Sequence, residues 1–177
     1  FENRDPRLRN TVLYDGSPLA ITSTTGVKME PVDIYVGGGE DAVYVGTPTG
    51  YYINKGVYRY SSANTMGGYI TNAPLIRFAE ILLNYAEAYN EYMLATAGDA
   101  TIDHTTEYQT YGVLKRLRRR GGINNGEGDL ATDLFGLKAG MKRSEMRQAI
   151  RDERQIELAF EGLRFWDVRR WKIAEEA

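Results

Sequence analysis

Residues 74–93, PLIRFAEILLNYAEAYNEYM, carry more apolar side chains than a single helical stripe can hold. Leu75, Ala79, Leu82, Ala86, Tyr89 and Met93 recur at alternating spacings of four and three, which is one face of a helix. Ile76, Ile81, Tyr85, Ala88 and Tyr92 give the same helix a second apolar side. A helix buried on two sides belongs to a layered helical stack rather than to a surface. Ala79, Ala86 and Ala88 are small enough to let a neighbour come close, and Pro74 suits a first helical turn.

The chain changes character at this point. Residues 1–73 are rich in glycine, tyrosine and threonine, with short β-favouring runs broken by Gly and Pro. TVLYDGSP, residues 11–18, reads as a strand entering an Asp15-Gly16 turn. YYINKGVYRY reads either as two short strands about Lys55-Gly56 or as an extended loop. Gly37, Gly38 and Gly39 mark a link or tight turn and not a phosphate cradle, since no GK[ST] follows. The spacing predicts a loop-rich, partly β segment over 1–73 and a helical scaffold over 74–177. The scaffold helices are expected at about 74–95, 105–120, 144–161 and 163–174. Long irregular connections in a compact protein tend to carry function, so 1–73 is the expected ligand-facing portion.

Several function classes are excluded or weakened by composition. The 177 residues bear a formal net charge of −2, which calls for neither nucleic acid nor an anionic membrane. The absence of cysteine rules out disulfides and thiolate metal sites, and a single histidine, His104, argues against a zinc site or a Ser–His triad. No cofactor or metal is called for. No apolar run approaches the roughly 18–20 residues of a membrane span. The chain opens FENRDPRL without an initiator methionine and ends WKIAEEA directly after a strongly patterned segment, so an interior piece of a longer protein is expected.

Two charged features admit rival readings. In TTEYQTYGVLKRLRRRGG, residues 105–122, the cations Lys115, Arg116, Arg118, Arg119 and Arg120 fit the end of a helix, opposing its dipole on a solvated face. A phosphate patch is the weaker reading, because no aromatic residues interleave. Glu127, Asp129 and Asp133 lie in a polar connection that lacks the order of a calcium loop. In IRDERQIELAFEGLRFWDVRRWK, residues 150–172, acids, arginines and aromatics crowd together. A glycosidase needs two carboxylates facing across a cleft roughly 5–9.5 Å wide, one with a raised pKa. Glu153, Glu157 and Glu161 instead step by four along one helix among arginines that would keep them ionised. The run therefore reads as scaffold, with Arg154–Glu157 as an i,i+3 pair and Trp166 and Trp171 in the core.

RDERQIELAFEGLRFWDVRRW resembles the signature of the SusD/RagB family, the surface glycan-binding lipoproteins of Bacteroidota. DPRLRNTVLYDGSP (5–18), TGYYINKGV (49–57), APLIRFAEILLNYAEAYNE (73–91) and VLKRLRRRGGI (113–123) agree and come in the family's order. Leu19 and the basic LRRRGG end depart from the usual pattern. The resemblance implies a mainly α, SusD-like but incomplete fold, with tetratricopeptide-like helix pairs and a loop-rich, partly β N-terminal portion. It implies non-enzymatic capture of oligosaccharides at the extracellular face of the outer membrane. The ligand would pass to a SusC-like TonB-dependent transporter, and membrane contact would run only through a lipid anchor preceding Phe1.

Tyrosine joins a rigid ring to a polar tip, which suits both the C–H faces and the hydroxyls of a sugar. Of the 13 tyrosines, Tyr35, Tyr44 and Tyr51 in the loops are the expected ligand-binding residues, with Asp15 as a hydroxyl partner. The alternative function is a helical-repeat module that binds protein or peptide and no sugar. A carboxylate-pair enzyme ranks behind both.

Overall fold

The computed structural model describes residues 4–23, 26–39, 42–56 and 74–175. The protein is mainly α with a partly β N-terminal portion, and it divides into two compact units: Phe1–Arg7 with Leu75–Ala177, and Leu8–Pro74.

In the Leu8–Pro74 unit, α1 (Arg7–Thr11) leads into β1 (Val12–Leu13). A hairpin follows, β2 (Pro18–Ser23) against β3 (Gly26–Pro31), in register from Pro18↔Pro31 to Ser23↔Gly26. The short β4 (Tyr52–Ile53) pairs antiparallel with β1. TVLYDGSP turns as its sequence predicts: the Ser17 amide donates to the Tyr14 carbonyl at 2.9 Å, with Gly16 at φ 72° in the third position. A small core joins Leu13, Val32 and Ile34, with Leu19, Val43 and Tyr52 against it. The expected second strand after Lys55-Gly56 lies outside the described residues.

The other unit is built on α2 (Phe78–Ala97), α3 (Tyr111–Arg120), α4 (Arg143–Glu157) and α5 (Arg164–Arg170). Helix α2 packs on α4 and α3, burying Ala79, Leu83 and Ala86 against Leu114, Leu117, Met146 and Ile150. The second apolar side of α2 is not covered by any described residue: Ile76, Ile81, Tyr85, Ala88 and Tyr92 are exposed. Helix α3 begins at Tyr111 and not at 105, because the Asp103 carboxylate accepts from Thr105 N, Thr105 Oγ1 and Thr106 Oγ1 and holds that stretch in turns. Ser144 is not the N-cap of α4. It lies in the first turn, donating N–H and O–H to Asp99, while Glu145 accepts from the Lys142 amide at 2.8 Å.

Along α4 the buried stripe starts apolar and turns ionic: Met146 and Ile150, then Glu153 and Glu157. Glu153 is fully buried. Its Oε1 accepts from Arg7 Nη1 at 2.6 Å and its Oε2 from Arg118 Nε at 2.8 Å. Glu157 accepts from Arg7 at 3.0 Å, from Arg77 at 2.7 Å and from Arg120. Asp5 holds Arg7 with both oxygens, at 3.0 and 2.7 Å, and Glu161 takes Arg77 Nε at 2.7 Å. Four arginines thus meet four carboxylates. A Cβ on Gly121, at the end of α3, would sit 2.8 Å from Arg7 Cδ, so glycine there admits the Arg7 side chain.

This arrangement corrects three expectations. The basic end of α3 is only partly a solvated face: Arg116, Arg119 and Arg120 are exposed, but Arg118 and Arg120 bind the α4 carboxylates, and Lys115 is buried, donating to His104 O and Leu130 O at 3.2 Å each. Arg154 does not pair with Glu157. It grips Asp167 with two bonds, at 3.0 and 3.1 Å, and donates to Asn84 at 2.6 Å. Trp166 is exposed, as are Phe160 and Phe165. Trp171 is half-buried, its Nε1 donating to Glu87 at 2.7 Å and its ring flanked by the guanidinium groups of Arg151 and Arg170 at 4.9 and 4.8 Å.

Removing one partner of a buried ion pair leaves the other charge uncompensated, which costs about 3–5 kcal/mol. Glu153→Ala is therefore expected to lose about that much unfolding free energy in urea, and a change below about 1 kcal/mol would contradict the network's role. Burial pushes the Glu157 carboxyl up, but hydrogen bonds from Arg77 and Arg7 outweigh it and leave its pKa below the ordinary value. Glu87 and Asp5 are lowered in the same way, against burial, by Arg170 with Trp171 and by Arg7. A carboxylate whose pKa is lower folded than unfolded stabilises fully above the unfolded value and loses that contribution as pH falls through the folded one. Unfolding free energy is expected to hold above about pH 5 and to fall steadily below about pH 4, as acid titration followed by circular dichroism would show.

Candidate functional site

The sequence-expected residues all lie in the Leu8–Pro74 unit, and one backbone network connects the loops that carry them. The Asp15-Gly16 turn is pinned to the strand end after β3, with Gly16 N donating to Val32 O at 2.8 Å and Val32 N to Ser17 O at 3.1 Å. Asp15 then reaches across that turn. Its Oδ1 accepts from the Ile34 amide at 2.8 Å and the Tyr35 amide at 3.1 Å. The carboxylate thereby fixes the start of the Tyr35 loop. Among the described residues Oδ2 has no partner, so it is the oxygen left for a hydroxyl.

From Tyr35 the chain turns back at once, with Gly38 N donating to Tyr35 O at 2.9 Å. A Cβ on Gly38 would meet Asp33 O at 2.9 Å and the Tyr35 ring at 3.1 Å, so only glycine lets the ring lie there. Val43 N donates to Ile34 O at 3.0 Å and ties the next loop to the first. Tyr44 N bonds Thr47 O at 2.9 Å, closing a tight turn in which Tyr44 takes φ 70°. That left-handed backbone is costly for a residue with a Cβ, and the bridge Val43↔Thr47 holds it. Thr47 Oγ1 donates to Tyr51 O at 3.0 Å and joins the third tyrosine.

Tyr35, Tyr44 and Tyr51 are 56%, 83% and 51% exposed, so each ring is largely open to solvent on an internally bonded frame. Such rings offer aromatic faces and phenolic tips at little conformational cost. Tyr52, next in sequence, turns inward and packs on the small core. Tyr58, Tyr60 and Tyr69 lie outside the described residues. Thr47, which bonds to the Tyr44 and Tyr51 backbone, was not singled out from sequence, and Gly38 was read only as part of a link or tight turn at 37–39.

The carboxylates of 150–172 offer no comparable site. Glu153 and Glu157 have their oxygens engaged by arginines, and the Glu157 carboxyl is held below its ordinary pKa, the opposite of what a general acid needs. Among the described residues no group of three or more His, Asp or Glu is placed to hold a metal ion.

The SusD family model matches residues 1–177. The chain is 33% identical over 121 residues to "SusD-like protein P2" of Formosa agariphila, covering 67% of this chain and 21% of that protein. A crystal structure of a SusD-like protein from Bacteroides fragilis superposes with a TM-score of 0.67 at 31% identity, over 99% of this chain and 30% of the other. A second structure from that organism, described as a SusD-like carbohydrate binding protein, gives 0.59 at 27% identity over the same shares. The chain thus spans less than a third of the length of these relatives.

Asp15→Ala removes the acceptor for two loop amides. Exchange of the Ile34 and Tyr35 amides is expected to quicken about tenfold by NMR, the equivalent of roughly 1.4 kcal/mol. Asp15→Asn keeps an acceptor oxygen and is expected to change exchange far less. Equal exchange in all three proteins would show that the carboxylate does not hold the loop.

Proposed function

This chain belongs to the SusD family, and on that premise we propose that it carries a glycan-binding surface of a non-enzymatic nutrient-capture protein. The ligand residues of this reading are Tyr35, Tyr44 and Tyr51, with Asp15 setting the loop and offering its second oxygen. The observation that carries it is the outward display of three tyrosines on loops bonded to one another, one of them in a strained backbone. A backbone held in place loses little freedom when a sugar stacks on its rings, so less of their contact area is spent on ordering the loops.

In the same reading the whole protein sits at the extracellular face of the outer membrane through a lipid anchor and hands oligosaccharide to a SusC-like TonB-dependent transporter. Family membership supports that placement. Among the described residues no helix is long and apolar enough to cross a membrane. The absence of catalysis is supported by the arginine-clasped state of Glu153 and Glu157. A peptide-binding module is favoured by one feature only, the exposed apolar side of α2 at Ile81, Tyr85 and Tyr92.

A glycan array followed by calorimetry tests the proposal. The protein is expected to bind at least one neutral or acidic oligosaccharide without releasing reducing sugar. Tyr44→Ala and Tyr51→Ala are each expected to weaken it about tenfold or more, a loss of roughly 1.4 kcal/mol, with unfolding unchanged. Binding that survives both substitutions would move the site elsewhere. No binding to any glycan, with capture of peptides abolished by Tyr85→Ala, would favour the module reading.

A further inference from the structure

About half of the described arginines are committed to carboxylates. Arg7, Arg77, Arg118, Arg120, Arg154 and Arg170 each meet a carboxylate. Arg9 does not: among the described residues its guanidinium has neither an ion pair nor a hydrogen bond. It stands at the rim of a cavity of about 330 Å³ whose walls include Asn10, Tyr14, Met29 and Asn54.

The walls are held in place. Asn54 Nδ2 donates to the Arg9 carbonyl at 2.9 Å, and the Asn54 amide donates to Thr11 O at 2.9 Å, which ties that side chain to α1. Ser17 Oγ accepts from the Tyr14 amide at 3.1 Å and fixes the backbone from which Tyr14 springs. Met29, paired with Ala20 across the hairpin, is 57% exposed and belongs to neither apolar core.

We propose that this cavity is a subsite for an acidic sugar unit, one bearing a carboxylate or a sulfate ester. A planar guanidinium takes either group with two parallel bonds, and a neutral ring would leave that capacity unused. The side-chain amides of Asn10 and Asn54 both donate and accept, as vicinal hydroxyls require. Met29, Pro18 and the Tyr14 ring give an apolar wall for the C–H face of a pyranose. Ligand cavities run from about 300 to 1,000 Å³, so this one holds one or two sugar rings and not an extended chain. Tyr14 is followed directly by Asp15, so the subsite adjoins the turn that sets the Tyr35 loop. The proposal rests on the glycan-capture reading but uses none of its tyrosines.

Amide NMR titration of the full chain tests it, with trigalacturonate as the carboxylate probe and galactose 6-sulfate as the sulfate probe. At least one is expected to shift the Asn10, Tyr14 and Asn54 amides saturably, and the one that does identifies the anionic group. Arg9→Gln is expected to raise its Kd tenfold or more, Arg9→Lys by less, and Tyr44→Ala not at all. The side chain of Arg9 is exposed and makes no described contact, so these variants are expected to fold. Methyl-esterified trigalacturonate is expected to bind at least tenfold more weakly than the free acid. Three results would overturn the proposal: no saturable shift with either probe, an unchanged Kd in Arg9→Gln, or equal shifts from sodium sulfate at equal affinity. Neutral-glycan binding lost in Tyr44→Ala would still stand in each case, so the two readings fail separately.

Discussion

The helical unit depends on two carboxylates with almost no access to water. Glu153 and Glu157 sit one turn apart on α4, on the same stripe as Met146 and Ile150, where an apolar side chain would ordinarily go. A buried carboxylate is tolerated only when its oxygens are met by charge and by hydrogen bonds. Here four donors come from three separate places: Arg7 from the N-terminal segment, Arg77 from before α2, and Arg118 and Arg120 from α3. The charges balance when Asp5 and Glu161 are included. Apolar packing alone lets helices slide against each other. A set of directional bonds converging on two carboxylates fixes which turn faces which, and a second such grip, Arg154 on Asp167, fixes α5.

With the acids so occupied, our proposed ligand surface lies in the loops of the other unit. There the construction is different. The core is small, and rigidity comes from backbone bonds and from one carboxylate, Asp15, turned onto two amides. The strained Tyr44 backbone is an example of conformation imposed by its surroundings, since the turn closes through Thr47 on one side and Val43 on the other. Rings displayed this way spring from a bonded backbone without being buried, which a core position could not provide.

Much of this was legible in the sequence because it was local. Periodicity located α2 and α4, the Asp15-Gly16 pair located its turn, and the step of four between Glu153, Glu157 and Glu161 argued against an acid–base pair. What was not legible involved partners far apart in the chain. Arg118 and Arg120 read as a solvated helix end because their carboxylates lie 35 and 37 residues on. Arg7 gave no sign of its role, its partner being 146 residues away. Asp103 overrode the helical pattern at 105–110 by capturing two threonines, a choice that propensity does not reveal. The exposure of Trp166 could not be read from its size, because aromatic bulk predicts burial only where a neighbour covers it. In the candidate site the tyrosines were visible as a composition, but which of them face outward was decided by the register of short strands: Tyr51 lies outside β4 while Tyr52 lies within it.

We propose a division of labour, with α4 as clamp and the loops that carry Tyr35, Tyr44 and Tyr51 as ligand surface. Hydrogen exchange of the full chain, with and without a bound oligosaccharide, reads both parts in one experiment. The account predicts slower exchange on binding in the loops that carry Tyr35, Tyr44 and Tyr51 and no change at 150–157, whose amides are already bonded within α4. Protection at 150–157 accompanied by cleavage of the glycan, with the loops unaffected, would contradict it.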